Sequence, residues 1–311
     1  MTGSAPGKII LLGEHAVVYG EPAIAIPIHS IQTIVSIQPQ DSGLSIYSPQ
    51  LQLDCDLNDL PKEYPVRAMY EEIFARLNVL PFGLKIDISS SIPAASGLGS
   101  GAALSTASIR ALGEYFQKNL SLDEINEICY ATEKIFHGNP SGVDNTVITF
   151  GKPVFYQPGK KVEPLEVGGV FHFLIANTGI QSSTREVVSA VRNLVDHDPL
   201  VKADLRNLGE FTRLGQSAIA NGDFNQLGNL MNSAHRTLKR MTVSCKELDQ
   251  LVATARENGA FGAKLSGGGR GGNIIALIEE SKIEKMSGAL RSAGASQVIS
   301  TVLNRANDRV G

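Results

Sequence analysis

Lys8, Glu133, Asp144 and the glycine-rich run Gly97–Ala102 supply the group types that a phosphoryl transfer uses. Such a reaction needs a cradle for phosphates, a carboxylate for a metal ion, a cation for transition-state charge, and a group that orients the attacking hydroxyl. The cradle candidate is the stretch Ile92-Pro93-Ala94-Ala95-Ser96-Gly97-Leu98-Gly99-Ser100-Gly101-Ala102-Ala103. Gly97, Gly99 and Gly101 clear side chains from a loop that runs into a helix. The unpaired N–H groups and positive dipole end of that helix suit an anion. Lys8 opens an apolar run after Pro6-Gly7, Glu133 borders the apolar face of its helix, and Asp144 follows a glycine-containing turn just beyond it. A carboxylate on a helix and another past its end can converge on one cavity.

The loop is not a Walker A motif, because no lysine ends the glycine run. Gly97-Leu98-Gly99-Ser100-Gly101-Ala102 does satisfy G-x-G-x-x-A, and Asp123 lies at the distance of a ribose ligand. A dinucleotide site is disfavoured by the preceding segment, where Leu84, Ile86 and Ile88 alternate with polar residues. A central parallel strand would be apolar throughout.

The elements that must position these groups read as a mixture of strands and helices. Residues 8–12, 23–28, 33–37, 44–47 and 84–88 have strand character, and Val66, Met69, Tyr70, Ile73, Phe74 and Leu77 recur at helical spacing. Ser121 and Glu124 form a capping-box pattern at the start of the helix that bears Glu133. Gly138 ends it, His137 lies at its positive-charge-seeking end, and Asn139-Pro140-Ser141-Gly142 reads as a turn. The second half is expected to be helical over 184–196, 200–221, 223–239 and 246–258. A second glycine loop, Gly267–Gly272, then leads to a strand at 273–278, a helix near 283–293 and a strand at 297–303. This order favours α+β, with domains at 1–168 and 169–311.

Charged residues make up 19% of the 311 and the net charge is −3, which excludes a broad basic surface for nucleic acid. Cys55, Cys129 and Cys245 lack metal-ligand spacing and read as free thiols of a reducing compartment. No run has the pattern of a signal peptide or a membrane span, so a soluble cytoplasmic protein is expected.

Four blocks carry a family resemblance. Ser4-Ala5-Pro6-Gly7-Lys8 with Gly13-Glu14-His15-Ala16-Val17-Val18-Tyr19-Gly20 is similar to the N-terminal signature of the mevalonate kinase family within the GHMP kinases. Pro93–Ala103 resembles the superfamily phosphate loop, and His137–Asn145 the catalytic segment. Lys264-Leu265-Ser266-Gly267-Gly268-Gly269 resembles the C-terminal glycine motif. The resemblance implies a two-domain GHMP kinase-like fold, with an N-terminal α+β domain like ribosomal protein S5, a ferredoxin-like C-terminal α+β domain and the active site between them. It implies transfer of phosphate from ATP to the C5 hydroxyl of (R)-mevalonate, feeding isoprenoid synthesis.

By the same resemblance Asp144 would accept the hydroxyl proton and Lys8 would stabilise the transferred charge. Glu133 and Ser100 would hold Mg²⁺. Pro93, Ser96, Gly97, Leu98, Gly99, Ser100, Gly101 and Ala102 would wrap the ATP phosphates, and Glu14, His15, Ser141 and Gly268 would line the acceptor site. A homodimer is compatible with the family; nucleic acid and membrane partners are not expected. Departures stand at Gly101, where the family commonly has a metal-contacting serine, at Gly268, where it has alanine, and at Arg270, where it has glycine. Two alternatives remain open: a related acceptor such as phosphomevalonate, and a non-catalytic ligand sensor on the same fold. Simpler roles stand beside the chemical ones: Glu133 pairing with Lys134 or Arg110, Asp144 capping a short helix, and His15 as a satisfied loop histidine.

Overall fold

The computed structural model describes residues 1–93, 96–138 and 140–305. Ala94 and Ala95 of the first glycine loop and Asn139 of the turn before Asp144 lie outside the described residues. The chain has an α+β fold and forms two compact units, each discontinuous in sequence. One unit takes 1–8 and 27–151; the other takes 9–26 and 152–311.

Strand β1 (Thr2–Leu12) and the long strand β2 (Ala23–Pro39) each run through both units. The first unit continues with β3 (Leu44–Ser48), β4 (Leu53–Asp56), helix α1 (Pro65–Leu77), β5 (Leu84–Ser90), α2 (Ser100–Tyr115), α3 (Leu122–His137) and α4 (Val143–Phe150). The segments 23–28 and 33–37 belong to one strand that continues through the exposed dyad His29-Ser30. Thr33–Pro39 runs antiparallel to β5, and β5 is parallel to β3. The apolar residues Val35, Ile37, Ile86 and Ile88 are buried, so the alternation seen in the sequence does mark the core face. Helices α1, α2, α3 and α4 pack on one another, with Met69, Tyr70, Ile73, Ala107, Leu112, Ile125 and Val147 buried. The capping box of Ser121 and Glu124 is present in both directions.

The second unit adds β6 (Val154–Tyr156), β7 (Glu163–Pro164), β8 (Phe171–Asn177), α5 (Thr184–His197), α6 (Pro199–Asn221), α7 (Phe224–Arg240), α8 (Lys246–Glu257), β9 (Gly262–Ser266), β10 (Asn273–Ile278), α9 (Ile283–Ser292) and β11 (Gln297–Leu303). Four of these strands form an antiparallel sheet in the order β11-β8-β10-β9. Strand β10 is buried along its whole length beneath α8 and its sheet neighbours. No described helix is long and apolar enough to cross a membrane.

Candidate active site

The first glycine loop and the start of α2 form one edge of the site. Gly97 and Gly99 have φ of 78° and 80°, a backbone region that side-chain-bearing residues rarely adopt. Gly99 is the N-cap of α2 and, having no side chain, makes no N-cap hydrogen bond to the first N–H groups of that helix. Ser96 Oγ donates to the Pro93 carbonyl at 2.7 Å and fixes the loop's entry. Leu98 is buried, and its carbonyl accepts the Lys8 N–H at 2.9 Å. This backbone bond brings β1 alongside the loop. A Cβ added at Gly99 would stand 2.8 Å from Lys8 Cγ, so the glycine makes room for the lysine stem.

Lys8 is buried, and its Nζ lies 2.9 Å from Asp144 Oδ1. Asp144 sits in the first turn of α4, whose N-cap is Gly142 at φ 87°. Asp144 therefore does not cap the helix; its carboxylate, partly open to solvent, is free to face the lysine. Thr146 Oγ1 donates to the Gly142 carbonyl at 2.6 Å and secures the turn, while Ser141 Oγ accepts from Val143 N–H at 3.4 Å. Arg110 on α2 ties β1 to α4 by donating to the carbonyls of Ser4 and Thr149.

Glu133 on α3 completes this group. Its pairing with Lys134 or Arg110 does not occur: Lys134 lies over the Tyr130 ring, and Arg110 is spent on backbone carbonyls. Instead Glu133 is buried and its Oε1 has no hydrogen-bond partner. A Cβ added at Gly101 would lie 3.1 Å from that oxygen. Burial first, and then the negative Asp144, push the Glu133 carboxyl up to about 8, against the opposing pull of Lys8. A buried carboxylate oxygen with no partner is costly. His137 Nε2 stands 3.7 Å from Glu133 Oε2. Its pKa is lowered, with partial burial the largest cause, so the imidazole is neutral near pH 7 and lends no positive charge to the end of α3. Beneath the loop, Cys129 is buried between α2 and α3; its Sγ lies 3.6 Å from the Ala102 carbonyl, and burial raises the thiol to about 12.

The second unit gathers a separate group. Glu14 and His15 follow β1, and His15 is buried with φ 60°. Its Nε2 lies 2.9 Å from the Gly268 carbonyl, which can only accept, so Nε2 carries the proton. Burial pulls the ring down to about 4, and Lys264 and Arg270 add to the pull. The neutral tautomer follows, with Nδ1 as the lone-pair nitrogen. Gly268 allows close packing: a Cβ there would stand 3.0 Å from Thr184 Oγ1. Ser183 caps α5, as its type suggests. Arg270 is an exposed residue. Its Nε donates to the Thr242 carbonyl at 3.1 Å, and the residue holds φ 55° where the resemblance has glycine.

Lys8, Glu133 and Asp144 thus come together beside Gly99 and Gly101, while Glu14, His15 and Gly268 come together in the second unit. Residues 63–152 match the GHMP kinases N terminal domain, and 216–296 match the GHMP kinases C terminal domain. The mevalonate kinase of Pyrococcus horikoshii is 34% identical over 96% of this chain and 94% of its own length. That of Saccharolobus solfataricus is 32% identical over 96% of this chain and 95% of its own. The chain belongs to the mevalonate kinase family of the GHMP kinases. Among solved structures, L. major mevalonate kinase in complex with R-mevalonate superposes with a TM-score of 0.85 and 30% identity, covering 98% of this chain and 96% of that one. The Streptococcus pneumoniae phosphomevalonate kinase, at 17% identity and a TM-score of 0.82, shares the fold. The protein is a kinase and ATP is its co-substrate. One buried residue of this kinase escaped the chemical reading of the sequence: Lys264, on β9, pairs with Glu14. A lone lysine inside a short apolar strand was the available signal.

Proposed function

We propose that the kinase transfers the γ-phosphoryl group of ATP to the C5 hydroxyl of (R)-mevalonate. The observation that carries this reading is the 2.9 Å pair of Lys8 Nζ and Asp144 Oδ1 beside a helix N-terminus with no side-chain cap. Phosphoryl transfer asks the protein mainly for position and charge. In this scheme the first N–H groups of α2, from Ser100 to Ala102, hold phosphate oxygens. Asp144 orients the acceptor hydroxyl and takes its proton. Lys8 Nζ holds Asp144 in place and faces the charge that develops on the oxygens being bridged. Ser141 supports the turn that carries Asp144, and Glu14, His15 and Gly268 of the second unit are assigned to acceptor binding.

Magnesium fits the donor set. Among the described residues no three His, Cys, Asp or Glu gather around a common point, and the available donor is the Glu133 carboxylate with its unpartnered Oε1. Mg²⁺ binds through one or two carboxylates plus substrate phosphates and retains waters. Glu133, with Ser100 at the start of α2, would hold it, and the ion would neutralise phosphate charge when bound. With Gly101 where the family pattern has a serine, Glu133 would carry more of the protein's share of the metal.

An ADP-release assay across mevalonate, 5-phosphomevalonate, homoserine and galactose tests the proposal. Turnover with mevalonate is expected; its absence, with turnover on another acceptor, overturns the substrate assignment. ATP binding without ADP release on any acceptor would make the chain a sensor.

A further inference from the structure

Lys264 is a fully buried lysine for which phosphoryl transfer as outlined has no use. Taking an ammonium out of water is expensive unless it is paired and hydrogen-bonded. Here its Nζ donates to Glu14 Oε1 and, at 2.6 Å, to the carbonyl of Leu265. Glu14 is equally buried. It precedes His15, the residue whose positive φ and bond to Gly268 fix both the segment after β1 and the glycine turn after β9.

Two further bonds hold β9 in place, and the second is backed by a chain of side chains on α7 and α8. Ser266 Oγ donates to the Ile10 carbonyl at 2.6 Å. The Leu265 N–H donates to His235 Nδ1 at 3.3 Å, so the His235 ring carries its proton on Nε2, 3.3 Å from Asp249 Oδ1. Lys239 Nζ lies 2.6 Å from Asp249 Oδ2. The ion pair is thus set in a network whose other members fix backbone, and its two ends lie one and four residues from His15 and Gly268 along the chain.

We propose that Lys264 is a positioning residue: by pairing with Glu14 it holds the segment that carries His15 against Gly268, so that His15 presents a lone-pair nitrogen, Nδ1, to a hydroxyl of the acceptor. The inference rests on the assignment of Glu14, His15 and Gly268 to the acceptor site. Lys264 touches neither nucleotide nor acceptor in this scheme.

Two variants test it. Lys264→Met leaves Glu14 buried without its cation, and the fold can suffer for that reason alone. The double variant Glu14→Gln with Lys264→Met removes both charges, which avoids stranding a buried ion. In the double variant the mevalonate KM is expected to rise about tenfold or more, the scale of a small misplacement of bound groups, with the ATP KM within about twofold of wild type. A purely structural role would lower active enzyme without separating the two KM values. Lys264→Arg, which keeps the cation, should recover part of the mevalonate KM.

A second readout does not depend on the acceptor. In protein labelled with ¹⁵N-histidine, His15 is assigned by the signal lost in His15→Gln. Wild type should show a single neutral tautomer protonated on Nε2, and the double variant a mixture of tautomers. A folded double variant with an unchanged mevalonate KM and an unchanged His15 signal overturns the inference. If wild type releases no ADP with mevalonate, the acceptor assignment falls, and the tautomer alone decides the positioning role.

Discussion

Replacing Glu133 by glutamine should change the sign of its effect on stability with pH. In the folded chain the Glu133 carboxyl sits near 8, against an ordinary value of 4.5, so folding favours its protonated form. The associated cost is nearly absent below 4.5 and grows as pH rises towards 8, where the folded group finally ionises. Linkage between those two values gives a cost of about 4 kcal/mol at pH 8 and about 1 kcal/mol at pH 5. Glutamine removes that term, but its amide meets the same unpartnered surroundings as Oε1, which costs about 1–3 kcal/mol at any pH. Glu133→Gln is therefore expected to be more stable than wild type at pH 8, by about 1–3 kcal/mol, and no more stable at pH 5. Urea unfolding of nucleotide-free protein at both values measures this. Addition of Mg²⁺ with ADP at pH 8 should then stabilise wild type more than the variant. A wild-type–variant difference that stays constant from pH 5 to pH 8 would refute the electrostatic account of Glu133.

Asp144→Asn should lower kcat by at least about two orders of magnitude, the scale of acid–base assistance, with little change in ATP affinity; near wild-type turnover would remove Asp144 from the reaction. Lys8→Met should cost about two orders or more in turnover at saturating ATP while leaving the melting temperature within a few degrees, and unchanged kinetics would deny Lys8 its charge-stabilising role. Gly99→Ala places a Cβ 2.6 Å from Ile148 Cδ1 at a φ of 80°, so a loss of about 1–3 kcal/mol in stability and a raised ATP KM are expected; a denaturation midpoint equal to wild type would show that the loop tolerates a side chain there.

Much of the architecture could be read from spacing because its causes are local. The alternation in β5 and the helical repeat in α1 follow directly from burial of one face, and Ser121 with Glu124 marked the start of α3 through hydrogen bonds spanning three residues. Helix α4 was legible as a short helix for Asp144 to cap, but it starts one residue before Asp144, with Gly142 as its N-cap. Strand β9 was hidden by its glycine and its lysine; it is buried through contacts with α7, α8 and β10, from residues far away in sequence. The two-unit division assigns 9–26 to the unit that also holds 152–311, which no local composition shift announces. At the site, residue types pointed to Lys8, Glu133 and Asp144. The missing hydrogen bond of Glu133 Oε1 and the pairing of Lys264 with Glu14 come only from tertiary packing. The positive φ of His15 has no sequence signature either, since histidine rarely takes that conformation.

Cys129 gives the enzyme a built-in clock. Its thiol lies under the carbonyl of Ala102 and stays protonated at neutral pH, so a maleimide can reach and modify it only while α2 and α3 are parted. With Cys55 and Cys245, which are partly accessible, replaced by serine, the labelling rate of the remaining sulfur counts how often the floor of the proposed nucleotide cradle breathes. Nucleotide should slow that count, and a ligand confined to the other unit should leave it unaltered.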